Sequence, residues 1–593
     1  MLMGHLKELL KEVDGILNSS QMSETQPPEE RPEDQDDELL KALRQHFDHD
    51  TFRNGQREII EAILDGENVF AVFPTGHGKS LCYQLPALML QGTTVVVSPL
   101  ISLMKDQVDA LKARGVKSVS LINSTLSWED YLYEINRLKQ GKTKLLYISP
   151  ERLRSRRFLD LLNSILISLF VIDEAHCISQ WGRDFRPAYL SICDAFNTLY
   201  PRTIALFTAT APPDIRRDIL NILDIPNPRV LVEGIERPNL KLSVLESKNK
   251  EHKYTLLDES LLSLQGNGII YAGRRSETED IAKYLREQGY KADYYHAGRE
   301  LYERKRIQEA FFDDSGDGID IVVATNAFGM GIDKPNIRFI IHWTMTGTLE
   351  EYCQEIGRAG RDEKDSECIL IYFHDDRGLH EYFIKESAPD KPSLLKLLRE
   401  IENLKGAGQF RMVALEELIM KVGFKEAKLQ VALTYLEKLG FLKRWHNVPA
   451  RISVSLRTST NATTTPTHSE LLRQLGQRKV TDIITFCQEF DLSPRIVMEQ
   501  LAELQNDGCL QYWGKDDLML IELLQDSEFF DTLSEDQMGF SDYVKYKQSR
   551  IDKIVRYAGS DQCRMRVIRS YFGEDVLDDY RCGTCDRCCQ NSV

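Results

Sequence analysis

Short β-branched apolar runs alternate with helical spacing across residues 40–375. The runs are VFAVF (69–73), TVVVS (94–98), KLLYIS (144–149), LFVID (169–173) and TIALFT (203–208). A second set follows: GIIYA (268–272), IDIVVAT (319–325), RFIIHW (338–343) and CILIYF (368–373). Strands this apolar, separated by helices, predict parallel sheets covered on both faces, a doubly wound α/β architecture. Two sets predict two lobes, over 39–235 and 236–378, divided near Glu236-Arg237-Pro238-Asn239.

The pattern changes on either side. Leu6, Leu9, Leu10, Val13, Ile16 and Leu17 repeat at helical spacing, predicting an amphipathic helix over 1–18 that docks on the body or on a partner. Residues 19–38 (SSQMSETQPPEERPEDQDDE) read as a disordered acidic linker. Beyond 378, helical spacing dominates, with hairpin-like segments at 441–456 and 509–523. That order predicts two winged-helix-like modules, 379–456 and 470–540, joined by a polar linker at 457–469. Trp445 and His446, or Tyr512 and Trp513, fall near the expected hairpin tips. They are either duplex wedges or packing aromatics.

The 593 residues carry 75 Lys+Arg and 91 Asp+Glu, a net charge of −16. This excludes a simple polycationic nucleic-acid binder but not an enzyme with local basic grooves. Residues 21–38 hold eight acids and one Arg, so −7 of the charge lies in the linker. No apolar run is long enough to span a bilayer, and no signal-peptide pattern opens the chain. Twelve Cys in this length argue against a disulfide scaffold and for a reducing compartment.

Candidate chemistry starts at VFAVFPTGHGKSL (69–81), a strand, a Gly-rich turn and a helix start. Gly76 and Gly78 let backbone N–H groups surround phosphate oxygens without a Cβ clash. Lys79 would reach the β- and γ-phosphates, and Ser80 would ligate Mg²⁺. Phe73 stands where the strict pattern has Gly. Asp173-Glu174-Ala175-His176 follows a strand of the same set: Asp173 would hold Mg²⁺ and Glu174 would activate water. In Gln354-Glu355-Ile356-Gly357-Arg358-Ala359-Gly360-Arg361-Asp362, the two arginines would share one helix face and reach a γ-phosphate from the other lobe. In CISQWGRDFRPAY (177–189), Trp181, Phe185 and Tyr189 alternate with Arg183 and Arg186. Such aromatics stack on unpaired bases at about 1–3 kcal/mol each, and arginines hold phosphates. Cys563, Cys582, Cys585 and Cys588 form C-x18-C-x2-C-x2-C, the spacing of a closed tetrahedral Zn²⁺ site. Cys589 is a rival fourth ligand.

These segments, with FRNGQREII (52–60), VVVSPLISLMKDQV (95–108), FTATA (207–211), YHAG (295–298) and VVATNAFGMGIDKPNIRF (322–339), resemble the RecQ family of DExH DNA helicases. The resemblance spans about 40–375 and returns at 543–589. It implies two RecA-like lobes, ATP with Mg²⁺, structural Zn²⁺, and 3′-to-5′ unwinding of forked, recombination or repair DNA. It places Arg53 and Gln56 at adenine with His49 as stacking partner, and Thr75, His77, Gly329 and Asp333 at the nucleotide. Ser98, Ser102, Lys105, Thr325 and Asn326 would join the aromatic loop on single-stranded DNA. Implied partners are forked DNA, a single-stranded-DNA-binding protein or repair proteins, in bacterial cytoplasm or a eukaryotic nucleus. Other readings are a DNA-structure-binding scaffold with a regulatory ATPase, a duplex translocase or an RNA helicase. The chain departs from the family by placing residues 380–540 ahead of the zinc subdomain (541–593).

Overall fold

The computed structural model describes residues 37–593 apart from 75, 100, 124, 125, 127, 155, 180–188, 190, 234, 235, 316, 317, 330–333, 446, 457–465, 477, 479, 507, 508, 539 and 590–593. The helix expected at 1–18 and nearly all of the acidic linker lie outside these residues, as does most of the 457–469 linker. Two compact units divide after Thr51. In the N-terminal unit, the helix Glu38–Phe47 buries Leu39, Leu43 and Phe47. Asp37 caps it, accepting from the Leu39 and Leu40 N–H groups, so the last two linker residues belong to the helix.

Among its described residues, the second unit contains three sheets. The first, wholly parallel, has the order β3-β4-β2-β5-β6-β1-β7. Its strands are β1 (Val69–Val72), β2 (Thr93–Val97), β3 (Val119–Ile122), β4 (Leu145–Ile148), β5 (Ile167–Ile172), β6 (Ile204–Thr208) and β7 (Arg229–Val232). The second, also parallel, has the order β10-β11-β9-β12-β13-β8. It comprises β8 (Leu240–Glu246), β9 (Asn267–Tyr271), β10 (Ala292–Tyr295), β11 (Ile321–Ala324), β12 (Ile337–His342) and β13 (Ser366–Tyr372). β1, β2, β4 and β11 are buried along their whole length. This is why they read as unbroken apolar runs. In the first sheet, β6 separates β1 from β5. The turn after β1 and the carboxylates after β5 therefore open on one edge, where ligands bind in such sheets.

The 379–540 region departs from expectation. Segment 509–523 forms no hairpin; it is one 14-residue strand, β19 (Leu510–Leu523). Its first half pairs antiparallel with β17 (Val448–Leu456). Its second half pairs with β16 (Leu442–Arg444) and β15 (Phe410–Val413). β14 (Gly406–Ala407) and β18 (Thr481–Asp482) complete an antiparallel sheet common to both expected modules. Side chains alternate across its faces. Met412 and Leu520 enter one core with the helices 466–506, while Val413 and Ile521 enter another with the helices 391–438. Its chain ends meet: Lys391 Nζ donates to the Asp531 and Leu533 carbonyls at 2.7 and 2.8 Å. The flanking helices Asp376–Ser387 and Phe540–Gly559 pack against each other. Among the described residues, no helix is long and apolar enough to cross a membrane.

Candidate active site and metal centre

The turn after β1 is built for phosphate. Gly76 and Gly78 have φ of 85° and 81°, a left-handed conformation that L side chains rarely adopt. A Cβ on Gly78 would stand 2.6 Å from Gln56 Nε2. Gln56, almost wholly buried, donates from Nε2 to the His77 carbonyl at 2.9 Å. Its Oε1 accepts from Arg53 N–H at 2.8 Å. Arg53 also donates to the Gly76 carbonyl. The 53–56 segment thus braces the phosphate turn. His77 turns back so that Nε2 meets the Asn54 carbonyl at 2.8 Å, and burial lowers its pKa. It is therefore neutral at pH 7 and adds no charge to the turn. Ser80 is the N-cap of the helix Leu81–Met89 and makes no side-chain cap bond.

Lys79 Nζ donates to the Phe73 carbonyl at 3.0 Å. Burial lowers its pKa, opposed by Glu174 and Asp173. Asp173 is 7% exposed, and burial with the adjacent Glu174 charge pushes its carboxyl up to about 7. Two carboxylates crowded out of water call for a cation, so this donor set fits Mg²⁺ beside a bound phosphate. Glu174 has a left-handed backbone, φ 50°. It pairs at 3.3 Å with His176, whose Nδ1 meets Thr208 Oγ1 at 2.9 Å, tying the carboxylates to the end of β6.

Arg358 and Arg361 do not share a helix face. The helix Leu349–Ile356 stops before them at Gly357, and the turn that follows sends the two side chains apart. Arg361 lies against the phosphate turn, its Cγ 3.5 Å from where a Cβ on Gly76 would stand. Arg358 is 6% exposed and donates to the Gly329 carbonyl. A Cβ at Gly329 would come within 2.8 Å of that guanidinium. Gln354 shares a small apolar cavity with Pro74, Thr210 and Arg237. Arg53 Nη2 and Glu363 pair across the cleft at 3.4 Å.

The expected DNA contacts divide. Trp181, Arg183, Phe185 and Arg186 lie outside the described residues, as do Thr75, Asp333 and His446. Tyr189 does not belong with the stacking rings: it is fully buried and donates to the Asp173 carbonyl at 3.0 Å. Ser179, at the other end of the aromatic loop, donates to Asp218. The later end of the loop is thus tied to Asp173 and the earlier end to the helix Pro213–Leu223, connections that the Tyr189 spacing alone does not reveal. Ser98 is also displaced from the DNA set. It is 1% exposed and its hydroxyl faces Asp173 Oδ2 at 3.5 Å. Lys105 is exposed on the helix Ile101–Ala113, which also carries Ser102. Thr325 and Asn326 line a cavity at the carboxyl ends of β9, β11 and β12. His49 is exposed in the N-terminal unit. Trp445 is half-buried, its Nε1 donating to Glu522 at 2.8 Å and Arg495 over its ring. Trp513 is 51% exposed on β19.

Cys563, Cys582, Cys585 and Cys588 gather their sulfurs within 4.8 Å of one another. Sulfur separations of 3.5 Å (585–588), 3.9 Å (582–588) and 4.0 Å (563–585) bracket the edge of a tetrahedron with bonds of about 2.3 Å. The Arg564 and Cys582 N–H groups donate to Cys585 and Cys563 sulfurs at 3.4 and 3.3 Å, donors that favour thiolate. Exposed Cys589 instead reaches the Gly583 carbonyl at 3.6 Å, so Cys588 is the fourth member. Sequence reasoning missed the pair behind the cluster. Fully buried Arg564 holds Asp586 through two bonds of 2.9 Å, and Asp586 also accepts from Val244 N–H of β8 at 3.2 Å.

Family models match in the same places: DEAD/DEAH box helicase over 53–218, helicase conserved C-terminal domain over 252–363, and RecQ zinc-binding over 524–589. The chain is 39% identical over 397 residues to the probable ATP-dependent DNA helicase RecS of Bacillus subtilis, covering 67% of this chain and 78% of RecS. It is 42% identical over 364 residues to B. subtilis RecQ, 60% of each chain. Identity to the Saccharomyces cerevisiae helicase SGS1 is 40% over 384 residues, 62% of this chain and 26% of SGS1. The chain thus spans no more than three-fifths of that RecQ. Helicase lobes of this kind imply ATP with Mg²⁺, and the zinc-binding match with four gathered sulfurs supports Zn²⁺. A phosphate turn completed by an arginine from a second parallel-sheet lobe, a zinc subdomain behind it, and these relatives lead to one assignment: the chain belongs to the RecQ family of ATP-dependent DNA helicases.

Proposed function

We propose that this chain is a motor that couples ATP hydrolysis to 3′-to-5′ movement on single-stranded DNA and to unwinding of forked, recombination or repair intermediates. One observation carries the reading: Arg361 comes from the second lobe to the Gly76 turn of the first. The site is then complete only when the lobes are together, which makes hydrolysis report on their arrangement. Lys79 neutralises phosphate charge. Glu174 orients the attacking water and takes its proton, and Arg361 stabilises charge on the transferred group. Arg358, held on Gly329, orders the turn that presents Arg361. Ser80 and Asp173 would hold Mg²⁺, which would supply charge neutralisation at the phosphate oxygens. Gln56, tied to Arg53 and the His77 carbonyl, would read the adenine edge.

Trp181 and Phe185 would stack on freed bases while Arg183, Arg186, Lys105, Ser102, Thr325 and Asn326 hold the strand. One stacked base is worth about 1–3 kcal/mol, against about 1.4 kcal/mol for one base-pair step. Stacking is thus large enough to hold each opened step. Single-stranded-DNA-binding and repair proteins are the natural partners, in bacterial cytoplasm or a eukaryotic nucleus. The test is strand displacement from a forked duplex, with Lys79→Ala and Glu174→Gln as controls. We expect ATP-dependent product only from the unaltered chain. Hydrolysis without displaced strand would overturn the helicase, and stronger stimulation by RNA than by DNA would overturn the substrate.

A further inference from the structure

One buried charge belongs to neither site. Arg550 lies in the helix Phe540–Gly559 and is 4% exposed. Its Nη1 pairs with Glu350 at 2.8 Å and its Nη2 with Asp214 at 3.6 Å. Its Nε donates to Tyr546 Oη at 2.9 Å, and Nη1 also donates to Tyr571. Burial alone would weaken the guanidinium charge, but Glu350 and the other partners raise its pKa above the ordinary value. Arg550 is therefore a permanent cation.

Its two carboxylates come from different lobes. Asp214 is in the first turn of the helix Pro213–Leu223, which begins just after β6. Glu350 is in the first turn of the helix Leu349–Ile356. The arginine's own helix also straddles the lobes. Tyr546 packs on the first-lobe core, whereas Ile551, Ile554, Tyr557 and Ala558 lie within the second-lobe core. Tyr557 further donates to Tyr352, two residues beyond Glu350 on the same helix, at 3.3 Å.

Both clamped helices lead to the chemistry. The eight residues from Leu349 to Ile356 span about 12 Å and end at the turn carrying Arg358 and Arg361. On the other side, β6 ends at Thr208, the partner of His176, which pairs with Glu174. The geometry points to Arg550 as a positioning residue that sets the approach of the two lobes, and so the placement of Arg361 against the phosphate turn. The two contacts are unequal. Glu350 is short-bonded and 17% exposed, while Asp214 is longer-bonded and 37% exposed. The helix therefore stays with the second lobe and releases the first at Asp214. This role deepens the proposed motor and rests on it.

The test uses the full chain with Asp214→Asn, and Asp214→Glu as the charge-retaining control. Dyes on ketone side chains introduced at Tyr200 and Leu262, 81% and 84% exposed in the first and second lobes, report lobe separation by energy transfer. With a non-hydrolysable ATP analogue and Mg²⁺, Asp214→Asn should reduce the high-transfer population about fivefold, the lower end of ordinary coupling between sites. The DNA-stimulated kcat should fall by a similar factor, with KM for ATP within about twofold of the unaltered chain. Asp214→Glu should restore most of both. Transfer and kcat unchanged in Asp214→Asn would overturn the role, as would Asp214→Glu behaving like Asp214→Asn. A chain that hydrolyses no ATP would refute the motor. Energy transfer would still decide the clamp, because Asp214→Asn should separate the lobes without nucleotide as well.

Discussion

Replacing Asp586 by Ala tests how the zinc subdomain is docked. Arg564 is fully buried and its charge is met by both Asp586 oxygens at 2.9 Å. Without that carboxylate, the guanidinium keeps the Tyr557 and Ala558 carbonyls and the face of the Tyr557 ring, but no counter-charge among these partners. The Val244 N–H also loses the acceptor that joins this loop to β8. Breaking a buried ion pair from one side costs about 3–5 kcal/mol, because the surviving charge remains out of water. That corresponds to a factor of roughly 10² to 5 × 10³ in the opening of segment 563–589. Metal-linked folding is worth about 10–16 kcal/mol in small zinc domains, so the variant should still load zinc but lose it faster. The assay is the rate of zinc transfer to a chromogenic chelator at neutral pH, with an expected acceleration of about 100-fold. The double variant Arg564→Met with Asp586→Leu should recover much of the loss, since no lone charge remains. Release from Asp586→Ala within about threefold of the unaltered chain would refute the reasoning.

Two further outcomes follow from the same geometry. Metal analysis should find about one zinc per chain, unchanged in Cys589→Ser and lost in Cys588→Ser; the reverse pattern would make Cys589 the ligand. Asp173, held near 7, must ionise to bind Mg²⁺. Mg²⁺ affinity, read by titration with fluorescent ADP, should therefore fall about tenfold per pH unit below 7 and level off above it. A flat profile would refute this. Without Mg²⁺, the native state holds a proton that the unfolded chain releases near 4. Asp173's contribution to stability is then present below about 4 and is lost as pH rises through about 7.

The phosphate turn and the cysteine cluster were legible because each is encoded locally. Glycines beside Lys79 and Ser80, and three cysteines at two-residue spacing, carry their chemistry in short segments. The partners that position them were not legible. Asp586 waits for Arg564 from 22 positions earlier, and Arg550 finds Asp214 and Glu350 on separate lobes. Charged residues in a helical pattern read as solvated faces until the fold encloses them. Ser98 and Tyr189 show the opposite error: side chains placed on the DNA surface proved to be buried supports of Asp173.

The strands divide in the same way. All nine runs read from the sequence became strands of the two parallel sheets. The four that escaped notice, β3, β7, β8 and β10, are the four sheet edges. A central strand is covered on both faces and must be apolar throughout, so its sequence announces it. An edge strand such as β7, exposed or half-exposed at every position, takes its form from the neighbour that supplies hydrogen bonds. The 510–523 segment is the extreme case. Its sequence reads as hairpin-like, yet β17 pairs along it from Leu510 to Leu518. Alternate residues then feed two separate cores. The sequence by itself determined the lobes, the nucleotide turn and three of the zinc ligands; the structure chose Cys588 over Cys589 as the fourth. Only the tertiary structure decided the sheet edges, the single sheet of the 379–540 region, and which buried charges hold the parts together. Those depend on partners distant in the chain, which no local pattern records.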